Sequence, residues 1–132
     1  MNEPRQFPEE RYPHQDITEK IIGAAPEVHR VLGTGFTEPV YQEAMEIEMR
    51  TRAIRFEAQK ELHIDFKGTL LKKKFRCDLL VEDVVVVELK AASNIAGEFL
   101  AVLMNYLKAS KRKVGLILNF GRASLQIKRV VL

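Results

Sequence analysis

The chain has a single cysteine, three histidines and no tryptophan in 132 residues. With Cys77 alone no internal disulfide exists, and the scattered histidines cannot assemble a zinc site of the usual Cys/His spacing. Any bound metal must therefore be a hard ion held by oxygen. No stretch approaches the ~20 consecutive apolar residues of a membrane-spanning helix. The first residues, broken by Pro4, Pro8 and Pro13, lack the hydrophobic region of a signal peptide. A soluble cytoplasmic protein with no membrane partner is the expectation. Charge is also scarce in net terms, because 21 basic residues against 18 acidic ones leave only +3. That surplus is compatible with a phosphate-bearing partner and equally with none. What is present is a globular apolar fraction, in a chain long enough for one domain with its own core.

The only concentrated acid-base chemistry closes two hydrophobic runs between residues 70 and 90. From Lys72 to Leu79 polar and apolar residues largely alternate, with Lys72, Lys74, Arg76 and Asp78 on one face, which is the period of a strand. Val84 to Val87 is apolar on both faces and β-branched, as in a strand covered on both sides. Glu82-Asp83 leaves room only for a hairpin, and its register decides whether the acids meet. A three-residue loop over Glu82, Asp83 and Val84 puts Asp78 across from Glu88, with facing Cβ atoms roughly 5 Å apart. A two-residue loop puts Asp78 opposite Val87, and a β-bulge is then needed to bring the carboxylates together. Lys90, two residues beyond Glu88, returns to the same face in either case.

Around this hairpin the chain reads in order as helix, helix, three strands, helix, two strands. Residues 1–15 read as a flexible arm, and residues 16–132 as one domain. Asp16 and Glu19 have capping-box spacing before a helix through Leu32, which Pro26 should kink or split. Gly33-Thr34-Gly35 ends that helix, and Thr37-Glu38-Pro39 opens a second that runs to about Ala53. Phe56 to Phe66 alternates cleanly, with Phe56, Ala58, Leu62, Ile64 and Phe66 on one face, and Lys67-Gly68-Thr69 turns into the hairpin. Phe99, Leu100, Val102, Leu103, Tyr106 and Leu107 recur at helical spacing as core. Val114 to Phe120 and Leu125 to Leu132 complete the strands. The economical architecture is an α/β (α+β) domain with one sheet flanked by helices.

Gly35-Phe36-Thr37-Glu38-Pro39-Val40-Tyr41 resembles the Gly-x-x-Glu-x-x-Tyr signature of the GxxExxY proteins, which are grouped with the PD-(D/E)XK nucleases. The likeness extends through Asp78, Glu88-Leu89-Lys90, Asn105-Tyr106-Leu107-Lys108 and Gly115 to Gly121. It implies a restriction-endonuclease-like αβββαβ core with a mixed β-sheet, and Glu38, Asp78, Glu88 and Lys90 as a nuclease-like constellation. One departure is Val102, where relatives carry a glutamine.

On that resemblance Asp78, Glu88 and Glu38 are the expected ligands of Mg²⁺ or Mn²⁺, and Lys90 positions the attacking water or stabilises charge. Lys72, Lys74 and Arg76 are the expected phosphate contacts to DNA or RNA. Competing readings stand beside each of these. The acids and Lys90 also fit a salt-bridged strand end, and the lysines also fit a solvated edge that blocks aggregation. A Mg²⁺-dependent nuclease is therefore set against a catalytically inactive module of the same fold for nucleic-acid binding or protein assembly. The long hydrophobic strands permit a homodimer.

Overall fold

The computed structural model of the chain describes residues 12–132. The arm expected over residues 1–15 thus lies, for residues 1–11, outside the described residues. Three helices and five strands follow in the order α1 (Gln15–Leu32), α2 (Glu38–Thr51), β1 (Phe56–Phe66), β2 (Thr69–Val81), β3 (Val85–Lys90), α3 (Gly97–Ser110), β4 (Val114–Asn119) and β5 (Gln126–Val131). The strands form a single sheet in sequence order, antiparallel except where β3 pairs with β4. That parallel step needs a crossover, which α3 supplies. A sheet flanked by helices is what the order of elements predicts, and its mixed pairing is what the family resemblance implies.

Burial divides the core into two layers. Leu79, Val81, Val85, Val87 and Leu89 pack with Leu116, Leu118 and Phe120 beneath α1 and α2, where Ala24, Tyr41, Met45 and Met49 face them. On the other side Leu80, Val86 and Ile117 meet Leu103 and Leu107 of α3. The β-branched run of β3 is buried on both faces because helices cover both.

Several local expectations fail for identifiable reasons. The capping box does not form: α1 starts earlier, with the amides of Ile17 and Thr18 both donating to the His14 carbonyl at 3.0 Å. Glu19 instead accepts from Gln15 Nε2, one turn before it. Pro26 lies inside an unbroken α1 on its exposed side, so the helix is not split. Val102 is 43% exposed, not core, since the buried stripe of α3 narrows to Leu103 and Leu107.

The clean alternation of β1 also breaks. Phe56 packs on the α1/α2 layer, yet Leu62, an even number of residues later, packs on the α3 layer. Gln59 lies between them with φ of 51°, a left-handed conformation uncommon outside glycine. In β2 the same switch falls at Asp78, since Cys77 joins the α3 layer and Leu79 the other. Pairing skips this level but keeps its register, with Ala58 opposite Leu79 before it and Lys60 opposite Cys77 after it. The outer half of the β1–β2 hairpin is thus a rotated arm, whose tip exposes Phe66 and Leu70.

Candidate active site

The turn after β2 combines the two hairpin geometries weighed from the sequence. Glu82 and Asp83 both have positive φ, 50° and 62°, and the Val84 amide donates to the Val81 carbonyl at 3.1 Å. Such left-handed pairs mark the primed turns that match strand twist. Glycine is usual there; here Glu82 is anchored by the Arg55 amide at 3.0 Å and guanidinium at 3.2 Å, and Asp83 by Arg112 at 2.9 Å. Pairing then resumes one residue late, with Val81 opposite Val85. Val84 is the extra residue, and that register carries Asp78 to the level of Glu88.

At that level side chains replace the backbone ladder. Glu88 Oε1 accepts the Asp78 amide at 3.0 Å, and Asp78 Oδ2 accepts the Leu89 amide at 2.7 Å. The Asp78 carbonyl is taken by Gln42 Nε2 of α2 at 3.0 Å. Each carboxylate is therefore fixed by a main-chain donor of the opposite strand, with its second oxygen unused in these bonds. Both line a cleft of about 470 Å³ together with Leu89, Lys90 and Gln59. The α2 wall adds Glu38, Gln42, Glu43 and Glu46, which makes the cleft strongly acidic.

Crowding has an electrostatic result. Burial, then the neighbouring Asp78 charge, pushes the Glu88 carboxyl up to about 8 against an ordinary 4.5, with the Asp78 amide and Lys90 opposing. In the protein alone Glu88 thus holds a proton near neutrality. A buried Glu88 carboxyl crowded by half-buried Asp78 suits a divalent cation, which displaces that proton and needs only one or two carboxylates. Burial, with Glu88 and Asp78 nearby, also pushes the Cys77 thiol up to about 12, so it is a packed and unreactive group.

Lys90 lines the same cleft, and its ammonium contacts the α2 and α3 sides. Its Nζ lies 3.9 Å from Glu38 Oε1 and 4.5 Å from the centre of the Phe99 ring. Asp78 and Glu88 are thus brought together, while Glu38 stands with Lys90 across the cleft. Among the described residues no group of three or more His, Cys, Asp or Glu side chains converges as a metal cage. Lys72, Lys74 and Arg76 do not line the cleft; they lie along the β2 arm, where Lys74 pairs with Glu61 at 3.0 Å.

The Gly35–Tyr41 segment separates into working parts. Gly35 takes φ of 105° in the loop before α2. Glu38 begins α2 facing the cleft, and Tyr41, nearly one turn later, is fully buried. Its hydroxyl donates to the Gly33 carbonyl at 2.5 Å, and its ring stacks on Phe120 at 4.7 Å. Buried Asn119 holds the exit of β3, receiving the Ala92 amide at 2.9 Å and donating to the Ala92 carbonyl at 3.0 Å. Sequence reasoning gave no site role to Gln42 or Gln59, read Phe99 as core, and met Asn119 only within the matched Gly115–Gly121 segment. For Gln42 the i, i+4 spacing to Glu46 on α2 is the signal that could have found it.

The model of the PD-(D/E)XK nuclease superfamily matches residues 15–130. No curated protein matches the chain. A solved structure described as "Crystal structure of SSO0001" is similar in fold, with a TM-score of 0.55 and 19% identity, over 93% of this chain and 58% of that one. The chain thus spans less than two thirds of that protein's length. From the first helix into the last strand, and through the Asp78 and Glu88-Leu89-Lys90 hairpin, the chain belongs to the PD-(D/E)XK nuclease superfamily.

Proposed function

We propose that the protein is a Mg²⁺- or Mn²⁺-dependent nuclease that hydrolyses phosphodiester bonds in DNA or RNA, with residues 16–132 acting as one domain. The observation that carries this reading is the Asp78–Glu88 pair, locked by reciprocal main-chain bonds at the mouth of an acidic cleft with Lys90 two residues beyond. Asp78 and Glu88 would hold the ion, with Glu38 completing its shell directly or through water. When bound, the ion supplies Lewis acidity at the phosphate.

The remaining steps fall to the chain itself. Lys90 leaves Glu38 to place its ammonium on the attacking water or on developing phosphoryl charge, a role for preorganised charge. Lys72, Lys74 and Arg76 supply phosphate contacts outside the cleft, which orient the strand without reading sequence. An acidic cleft repels a polyanion until cations enter, so binding as well as cleavage should require the metal. The narrower GxxExxY kinship rests on Gly35, Glu38 and Tyr41, whose separate tasks explain their spacing.

One observation favours a second reading, a catalytically inactive module of the same fold. Val102 presents an exposed methyl pair where the resemblance calls for glutamine, which removes a polar group from α3. Incubating purified protein with single- and double-stranded DNA and RNA decides between them. Metal-dependent cleavage abolished by Asp78→Ala supports the nuclease; metal-dependent binding without turnover supports the module.

A further inference from the structure

Across the Glu38–Lys90 ion pair from the acid cleft lies a second hollow of about 450 Å³. Both residues line both cavities, so their side chains form a shared wall. The remaining lining differs in kind, with Phe36, Phe99, Ala91, Ala92 and the uncharged Thr37, and no further charge. Phe36 is 48% exposed, although water is a poor solvent for such a ring. The ring is not loose. It meets Tyr41 edge-on at 6.3 Å and 75°, and Tyr41 is itself fixed by Gly33 and Phe120. Lys90 Nζ covers one face of Phe99. The alanine floor is clamped by Asn119, and Gly121 lies so close to Ala92 that a Cβ there would sit 2.3 Å from the Ala92 carbonyl oxygen. The result is a rigid recess with an aromatic wall and paired charges, opening beside the candidate phosphate site. A phosphate gains little there. A flat, uncharged ring gains a stacking partner.

We propose that this recess holds the nucleobase next to the scissile phosphate, stacked on Phe36, and so selects single-stranded over intact duplex nucleic acid. The inference rests on the nuclease reading of the neighbouring cleft and names its substrate class. Inside a duplex both faces of a base are covered by its neighbours, so a base on Phe36 must come from a strand unpaired at that position.

The test uses single-stranded DNA oligonucleotides carrying one abasic position moved along the strand. Binding is read by fluorescence anisotropy, with Ca²⁺ in place of Mg²⁺ to hold turnover down. One position should weaken binding to the wild-type protein roughly 5- to 150-fold, the range for losing one stacked base. Phe36→Ala should abolish that positional effect, and Phe36→Trp should restore it. In Mg²⁺ the wild type should prefer single strand to duplex, and Phe36→Ala should lose the preference. Thermal melts check that Phe36→Ala is folded, as expected for a half-exposed ring. A flat abasic scan, or binding and strand preference unchanged in Phe36→Ala, overturns the proposal and leaves the recess to a protein side chain. The two readings fail separately: cleavage with a flat scan refutes the base recess alone, whereas a position-specific scan without cleavage refutes only the hydrolysis.

Discussion

Replacing Glu88 by glutamine should stabilise the metal-free protein above neutral pH while removing its response to Mg²⁺. Folded Glu88 holds its proton up to about 8, against an ordinary 4.5, because burial and Asp78 both oppose a second negative charge. A group that binds its proton more tightly when folded contributes its full stability below pH 4.5. That contribution falls as pH rises through 8, where the folded protein must finally ionise it. At about 1.4 kcal/mol for each pH unit between those values, the ceiling is about 5 kcal/mol. The two side chains can relax apart as Glu88 ionises, so the decline should fall below that ceiling, at about 2 kcal/mol. For a domain of this size that is roughly 5–10 °C in melting temperature. Glutamine keeps an oxygen for the Asp78 amide and carries no charge, so its curve should lack the decline. Denaturant titrations of both proteins at pH 5, 7 and 9 should coincide at the acid end and diverge in favour of the variant at the alkaline end. Mg²⁺ at a hundredfold excess over its Kd should then raise the wild type by about 2.7 kcal/mol and leave the variant unmoved. Superimposable curves from pH 5 to 9 would refute the crowded pair.

Three further outcomes follow from the same geometry. Lys90→Met keeps an apolar stem on Phe99 but loses the ammonium, so cleavage should fall by about 10²–10³-fold. Its melting should change little, because an ion pair at 3.9 Å to half-exposed Glu38 contributes under about 1 kcal/mol. Gly121→Ala drives a Cβ to 2.3 Å from the Ala92 carbonyl oxygen and 2.4 Å from its amide nitrogen, and should cost more than about 2 kcal/mol in urea unfolding. Gly97→Ala meets nothing within 4 Å at the start of α3 and serves as the neutral control. Lys72→Gln or Arg76→Gln should each lower the slope of log affinity against log salt by about 1 for every phosphate left without its cation, whereas a merely solvated edge leaves the slope alone.

Most elements were legible because their patterns are long and unmixed. The buried valines of β3 and the turn at Lys67-Gly68, with φ of 53° and 86°, announce themselves. The meeting of Asp78 and Glu88 was legible only as a choice between loop lengths. The outcome depended on Arg55 and Arg112 holding Glu82 and Asp83 left-handed, across separations of 27 and 29 residues. Period counting also could not see the face switch at Gln59. A residue inside an alternating run carries no mark of positive φ unless it is glycine or asparagine. Lys90 was placed on the right strand face, but its direction depends on Phe99 of α3, which only tertiary packing supplies. Val102 shows the converse: helical spacing assigned it to the core, yet α3 is too shallowly seated to bury it.

The twin irregularities at Gln59 and Asp78 bind the history of the two strands together. Losing one residue at either spot would throw the arm out of phase with its partner, so that every side chain beyond it changed sides. A matching loss in the other strand would bring the phase back, yet the sheet would then run straight through the level where the Asp78 backbone is now free to take a glutamate and a glutamine as partners. Such a doubly shortened protein would keep its hairpin and forfeit the opening beneath it. The paired defects are therefore the toll for a gap in an otherwise continuous sheet, and neither can be repaired without closing it.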